Sequence, residues 1–316
     1  MALSKFLDPK NDVAFHRIFG NEKNKDILIH FINDVLELKD GDRIKEVTFL
    51  PTIQVPEIAA KKQSIVDVLC KDENGVQLII EMQVSPQEGF EKRAQYYAAK
   101  AYSSQLNKGS EEGARYIDLK AVIFIAICDY IIFKDKVPYK SDHVILDKES
   151  YSHDLKDFSF TFIELPKFKI NNVELLSNII EKWCYFFKHA DETSEADLRK
   201  LVGSDVVIER AYEELNQFNW TEAELNTYDQ ETKRIMDNRA IEDYKLKQIQ
   251  QQIIQAETQG KTVGRAEGKA EGKAEGKIEG RAEEKIEIAR NLLAQNIDVN
   301  IISTVTGLSP EEISKL

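Results

Sequence analysis

This 316-residue sequence predicts a mixed α/β sandwich, a central sheet flanked by helices, followed by a helical C-terminal extension. Three observations predict it. Apolar runs at 64–71, 76–85, 119–128 and 161–165 have the length and β-branched content of buried strands. Amphipathic stripes of helical period at 12–36, 86–106 and 174–187 precede, separate and follow those runs. Beyond about residue 190 the apolar density falls and helix formers dominate.

The elements follow in order. Phe15, Ile18 and Phe19, then Ile27, Leu28, Phe31, Ile32 and Leu36, define two helices separated at Gly20-Asn21. Residues 47–53 read as a strand. The runs 64–71 and 76–85 flank Asp72-Glu73-Asn74-Gly75, and an Asn-Gly between apolar runs is a strong hairpin signal. Phe90, Ala94, Tyr97 and Ala101 form the stripe of the next helix. Leu119 to Cys128 and Thr161 to Leu165 are further strands, and 174–187 is a helix carrying Trp183. Thr221-Glu222-Ala223-Glu224 is a capping-box pattern opening a helix to about Gln259. Glycine then recurs every fourth residue from Gly260 to Gly280, each followed by Lys or Arg, with Glu recurring at the same period. In one helix that pattern places like charges at i,i+4 and opposite charges two apart, where they do not face each other. Solvated disorder and helical self-association are both open to this segment. Ile286, Ala289, Leu292 and Leu293, then Ile301, Ile302, Val305, Leu308 and Ile313, restore apolar periodicity. With Ser309-Pro310-Glu311-Glu312 as a capped start, they suggest a small helix-turn-helix-like module, or else a helical end cap. The expected organisation is a core at 1–188, an acidic helical region at 189–259, the period-four repeat at 260–285 and the small module at 286–316.

Composition narrows the function classes. No apolar stretch approaches the length of a membrane span, and no basic region followed by an apolar core marks a secretory signal. Cys70, Cys128 and Cys184 are scattered, which fits buried thiols in a reducing cytoplasm and gives no zinc pattern. No Ser/His/Asp constellation is readable, and no Gly-rich loop ends in Gly-Lys-Ser/Thr. The net charge is −12, of which 189–232 alone carries −9, with twelve acids against three bases. The remainder is near neutral and has room for a local basic groove.

The chemistry concentrates on the hairpin. A carboxylate in each of two paired apolar strands is costly unless something cationic meets it, and a divalent metal would. Opposed hairpin residues share a face. With an odd loop centred on Asn74, Asp67 lies opposite Glu81 and Gln83 shares their face. With a two-residue Asn74-Gly75 turn the two acids point to opposite sides. A metal site therefore requires the odd loop or a bulge.

An acid in one strand followed by Glu81-Met82-Gln83 in the next resembles the PD-(D/E)XK nuclease core, with Gln83 where most members have Lys. Asp8-Pro9-Lys10-Asn11-Asp12-Val13-Ala14-Phe15, the helix with Arg93 and Tyr97, Glu164-Leu165-Pro166-Lys167-Phe168 and the Gly-every-fourth-residue tail are similar to the recombination-promoting nuclease/putative transposase family of bacteria. The resemblance runs over essentially the whole chain. One departure is His16, where that family usually has Lys.

The resemblance implies a cytoplasmic, metal-dependent DNA endonuclease acting in recombination or transposition. Its Mg²⁺, with Mn²⁺ or Ca²⁺ as substitutes, would be held by Asp67, Glu81 and the Met82 carbonyl. Gln83 would occupy the Lys position without supplying its charge. Asp12 is a further catalytic acid, or else a capping or first-turn residue of its helix. Arg93 and Tyr97 share a helix face and are candidates for phosphate contact, Tyr97 otherwise being core and Arg93 a surface ion-pair member. His16 is a third substrate-binding candidate, or structural. Lys167 is a phosphate candidate, or solvated. Expected partners are double-stranded DNA and a second copy, as homodimer or higher homo-oligomer through the C-terminal helices, with no membrane. The alternative is a nuclease-like DNA-binding and assembly protein without useful catalysis.

Overall fold

The computed structural model describes residues 5–54, 64–106, 115–203 and 205–316. Its strands are β1 (Val47–Phe49), β2 (Ile53–Gln54), β3 (Ser64–Ile65), β4 (Val68–Asp72), β5 (Gln77–Gln83), β6 (Val122–Cys128), β7 (Lys140–Val144) and β8 (Phe158–Glu164). Six of them form one sheet in the order β1-β4-β5-β6-β8-β7, and β2 pairs with β3 apart from it. The centre, β5-β6-β8, is parallel, and the outer pairs are antiparallel. Central parallel strands are covered on both faces, which is why β5 and β6 read as unbroken apolar runs rather than alternating ones.

The α-helices are α1 (Asp12–Phe19), α2 (Lys25–Val35), α3 (Phe90–Ser104), α4 (Ile179–His189), α5 (Glu195–Val202), α6 (Val206–Leu215), α7 (Glu222–Ala294), α8 (Val299–Thr306) and α9 (Pro310–Ile313). Val68, Cys70, Leu78, Ile80 and Met82 point to one face, into a core shared with α1, α2, α4 and α6. Leu69, Ile79, Phe124 and Ala126 point to the other, against Phe90, Ala94, Ala98 and Ala101 of α3. The predicted sandwich is therefore present, and the helix expected at 86–106 buries Ala98 more deeply than Tyr97.

Several boundaries differ from the sequence expectation. The run 64–71 breaks into β3 and β4, and Asp67 sits in the break. The helix expected from residue 174 begins only at Ile179, where Asn178 caps it by accepting from the Glu181 N–H, and Val173–Leu175 is a 3-10 turn. Strand β7 was not foreseen: Lys-Ser-Asp-His-Val lies at the sheet edge and carries no apolar alternation. Helices α5 and α6 belong with the core, because Leu201, Ile208, Ala211, Tyr212 and Leu215 are buried in it.

The chain divides into two compact units, Met1–Arg239 and Ala240–Leu316. The edge of the first lies well beyond the expected boundary at 188. Thr221 and Glu224 form the expected capping box at the start of α7, but the helix runs on through the Gly repeat instead of stopping near Gln259. A Cβ added at any repeat glycine from Gly260 to Gly280 would meet nothing within 4 Å. The Ala, Glu, Lys and Arg between them are strong helix formers, which offsets a cost of about 1 kcal/mol per Gly. In the second unit Ala289, Ile302 and Ile313 form a small core with Leu292, Leu293, Val299 and Leu308 around it, and Ser309 and Glu312 complete a capping box.

Candidate active site

The site starts from a turn. The β4–β5 pairing joins Lys71 to Gln77 and Val68 to Ile80, and the same register sets Asp67 opposite Glu81. The Asp72 N–H donates to the Val76 carbonyl at 3.0 Å and the Gly75 N–H to the Asp72 carbonyl at 3.1 Å, so Glu73, Asn74 and Gly75 form a three-residue loop. Gly75 has φ +84°, the left-handed position that such a loop requires at its third residue. Asp72 Oδ1 accepts from the N–H groups of Asn74 and Val76 and fixes the turn. Of the two loops open to the sequence, the odd one is present.

The two acids are tied across the pair. The Met82 N–H donates to Asp67 Oδ2 at 2.8 Å, and the Asp67 N–H donates to Glu81 Oε1 at 3.2 Å. Glu81 is only 3% exposed. Burial pushes the Asp67 carboxyl up to about 6, helped by the charge of Asp12 and opposed by the Met82 N–H and Arg93. Burial and then the Asp67 charge push Glu81 well above the usual carboxylate range, again against Arg93. Both carboxyls therefore hold their protons more tightly than free carboxyls do.

Gln83 extends the same face. Its Nε2 donates to the Met82 carbonyl at 3.2 Å, while its buried Oε1 has no hydrogen-bond partner among the described residues. Arg93, one turn from Tyr97 on α3, stacks its guanidinium 4.9 Å from the Phe90 ring centroid and 5.8 Å from that of Tyr97. Its Nη1 donates to Gln87 Oε1, and its buried Nε has no partner. The charges of Glu81 and Asp67 reach Tyr97, whose phenol is pushed up first by burial.

Asp12 is the first residue of α1, and Asn11 is its cap, accepting from the Val13 N–H at 2.9 Å. The Asp12 carboxylate lies 3.2 Å from Arg234. Burial and then the neighbouring Glu231 charge raise its pKa. Asp12, Asp67, Met82 and Gln83 line a cleft of about 190 Å³ together with Ser85, Gln87, Glu231, Arg234 and Asn238. A larger cavity of about 560 Å³, lined by Asn33, Arg43, Tyr139 and Lys140 among others, takes in none of the predicted site residues.

Of the candidates, Glu81, Arg93, Tyr97, His16 and Lys167 do not line this cleft. His16 is exposed on α1, and its ring lies over Gly20, where an added Cβ would come within 2.7 Å of His16 Cδ2. Lys167 is neither solvated nor free for phosphate: its Nζ donates to Glu164 at 2.6 Å and to the Phe133 carbonyl at 2.7 Å. The fully buried Glu164 also accepts from the Ile132 and Phe133 N–H groups, so this pair anchors the 130–133 loop. Conversely, Glu231, Arg234 and Asn238 were missed. Their i, i+3, i+7 spacing marks one face of α7, but spacing alone does not say what a face meets.

The donor set suits a hard divalent ion. Mg²⁺ takes few protein carboxylates and keeps several waters, and Asp67 and Glu81 with the Met82 carbonyl supply that minimal set of oxygens. Among the described residues no three His, Cys, Asp or Glu side chains form a fuller cluster.

Residues 9–245 match the family described as PD-(D/E)XK nuclease family transposase. Residues 282–316 match the Rpn/YhgA-like nuclease family, C-terminal HTH domain. No curated protein and no solved structure matches the chain.

Proposed function

The chain belongs to the PD-(D/E)XK nuclease family transposases, and from that premise we propose that it is a divalent-metal-dependent DNA endonuclease acting in recombination or transposition. The observation that carries this reading is the hairpin register that sets Asp67, which lines the cleft, against the buried Glu81. Asp67, Glu81 and the Met82 carbonyl would hold the ion, Mg²⁺ or in its place Mn²⁺ or Ca²⁺. When bound, such an ion supplies an activated water and neutralises charge on the phosphate.

The remaining steps belong to the side chains. Water adds to phosphorus as one P–O ester bond breaks, leaving a phosphate monoester and a hydroxyl. The unpartnered Gln83 Oε1 is an acceptor suited to orienting a proton of that water. The unpartnered Arg93 Nε–H, on a guanidinium already fixed by Gln87 and two rings, is suited to a non-bridging phosphate oxygen. Arg93 thus brings the positive charge that Gln83 lacks. Asp12, held by Arg234, adds negative charge to the cleft and is a further acid available to the reaction.

Cutting both strands takes two such sites, so the reading includes a homodimer or higher oligomer built through the C-terminal helices. No helix among the described residues is long and apolar enough to cross a membrane.

The test is plasmid nicking with Mg²⁺, Mn²⁺ or Ca²⁺. Wild type is expected to nick, and Asp67→Asn and Glu81→Gln to remain folded and inactive. Nicking that survives both substitutions would overturn the assigned site. Absence of nicking by wild type under every metal would leave the rival, a DNA-binding and assembly protein, which the neutral residue at position 83 favours.

A further inference from the structure

We propose that Arg234 of α7 and a divalent cation compete for Asp12: the ion-free chain pairs Asp12 with Arg234, and the ion-loaded chain turns Asp12 to the ion. The proposal rests on the nuclease reading above and makes Arg234 a positioning residue that sets how tightly the site takes its metal.

The competitors meet in one cleft. Asp12, Asp67, Glu231 and Arg234 all line it. The Asp12 charge reaches both Asp67 and Glu81. Arg234 Nη2, 3.2 Å from Asp12 Oδ2, is the one hydrogen-bond donor that Asp12 has among the described residues.

The backbone on both sides is fixed, so the exchange is a matter of side chains. Asn11, 3% exposed, joins α1 to α7. It caps α1 through the Val13 N–H, and its Nδ2 donates to the Tyr228 carbonyl at 3.2 Å and to Thr232 Oγ1 at 3.0 Å. The Asp8 N–H donates to the Tyr228 hydroxyl at 3.0 Å, and the Tyr228 ring meets that of Trp220 edge-on, with centroids 5.9 Å apart. This joint holds the first turns of α7 against the start of α1, which leaves Asp12 a choice of rotamer rather than of place.

The pair parts easily, and in one direction. Arg234 is 60% exposed and Asp12 51%, and water screens such a pair. Arg234 does not depend on Asp12. Its Nε donates to Glu231 Oε1 at 3.0 Å and to Oε2 at 2.8 Å, and its Nη2 also reaches Oε1. When Asp12 turns away, the guanidinium keeps Glu231. Asp12 has no second cation among the described residues, so a divalent ion, with twice the charge of a guanidinium and a preference for carboxylate oxygen, is the better partner. The strength of the Asp12–Arg234 pair is thereby subtracted from the ion's affinity.

Isothermal titration of the full-length protein with Mn²⁺, without DNA, tests this. Arg234→Gln should tighten binding about three- to tenfold, and Arg234→Lys, which keeps a cation beside Asp12, should stay close to wild type. Asp12→Asn should weaken binding. In that background Arg234→Gln should change nothing, because no carboxylate is left to compete for. Tightening by Arg234→Gln in both backgrounds would be a through-space effect of lost charge and overturns the exchange. Unchanged affinity in a folded Arg234→Gln variant overturns it too, and the exposure of Arg234 keeps that variant's core intact. Wild type that binds Mn²⁺ and loses it on Asp67→Asn, with Arg234→Gln silent, defeats the exchange alone. Wild type that shows the exchange pattern but never nicks plasmid defeats the nuclease reading alone.

Discussion

At the scale of the residue, burial raises the pKa of both Asp67 and Glu81. The folded chain holds a proton on Asp67 up to about pH 6, whereas the unfolded carboxyl releases it near its ordinary value of 3.8. Between those values the folded state binds more protons, so metal-free stability falls as pH rises through 6 and is level above. Asp67→Asn keeps an acceptor for the Met82 N–H and removes the charge. It should therefore stabilise the metal-free protein by about 1–3 kcal/mol at pH 8, measured by urea unfolding, with the advantage gone near pH 4. An equal or lower stability at pH 8 would contradict the assigned burial. Gln83→Lys places an ammonium where the wider superfamily has one and should raise the nicking rate about tenfold, a gain of roughly 1.4 kcal/mol in the barrier. Asp67, Glu81 and Gln83 could be singled out in the sequence because they stand in apolar runs. His16 and Lys167 were legible only as residue types, and the sequence could not say that one lies over Gly20 and the other is consumed by Glu164.

At the scale of the element, the hairpin loop decides which residues of β4 and β5 face each other. Gly75 holds φ +84°, and an added Cβ there would also sit 3.3 Å from Lys120 Cγ. Gly75→Ala should cost about 1–2 kcal/mol and lower nicking by loosening the register that opposes Asp67 to Glu81, as unfolding and cleavage measurements on one preparation would show. Unchanged stability would mean that the loop tolerates another turn. Strands β5, β6 and β8 were readable from sequence because central parallel strands are apolar on both faces. Strand β7 was not, since an exposed edge owes its conformation to β8 alone. The start of α7 was readable from its capping box, but its extent was not. The charge pattern of the Gly repeat argues against favourable pairs within one helix, and the high helix propensity of the residues between the glycines outweighs that.

At the scale of the whole molecule, charge and assembly matter more than the total of −12 suggests. The acidic excess of 189–232 falls largely on α5, α6 and the start of α7, which pack with the core. Sequence could locate the acidic block. The period-four repeat places Glu and Lys/Arg stripes where only a second helix can pair them. Truncation after Gln259 should thus lower the mass measured by light scattering while plasmid nicking persists; an unchanged mass would make the repeat a tether. The central claim is that Asp67 and Glu81 together hold a divalent cation, and crystals soaked in Mn²⁺ test it most directly. The account predicts an anomalous difference peak about 2 Å from an oxygen of each carboxylate, absent in Glu81→Gln. A peak elsewhere in the wild-type protein, with both carboxyls still held only by the Met82 and Asp67 N–H groups, would contradict it.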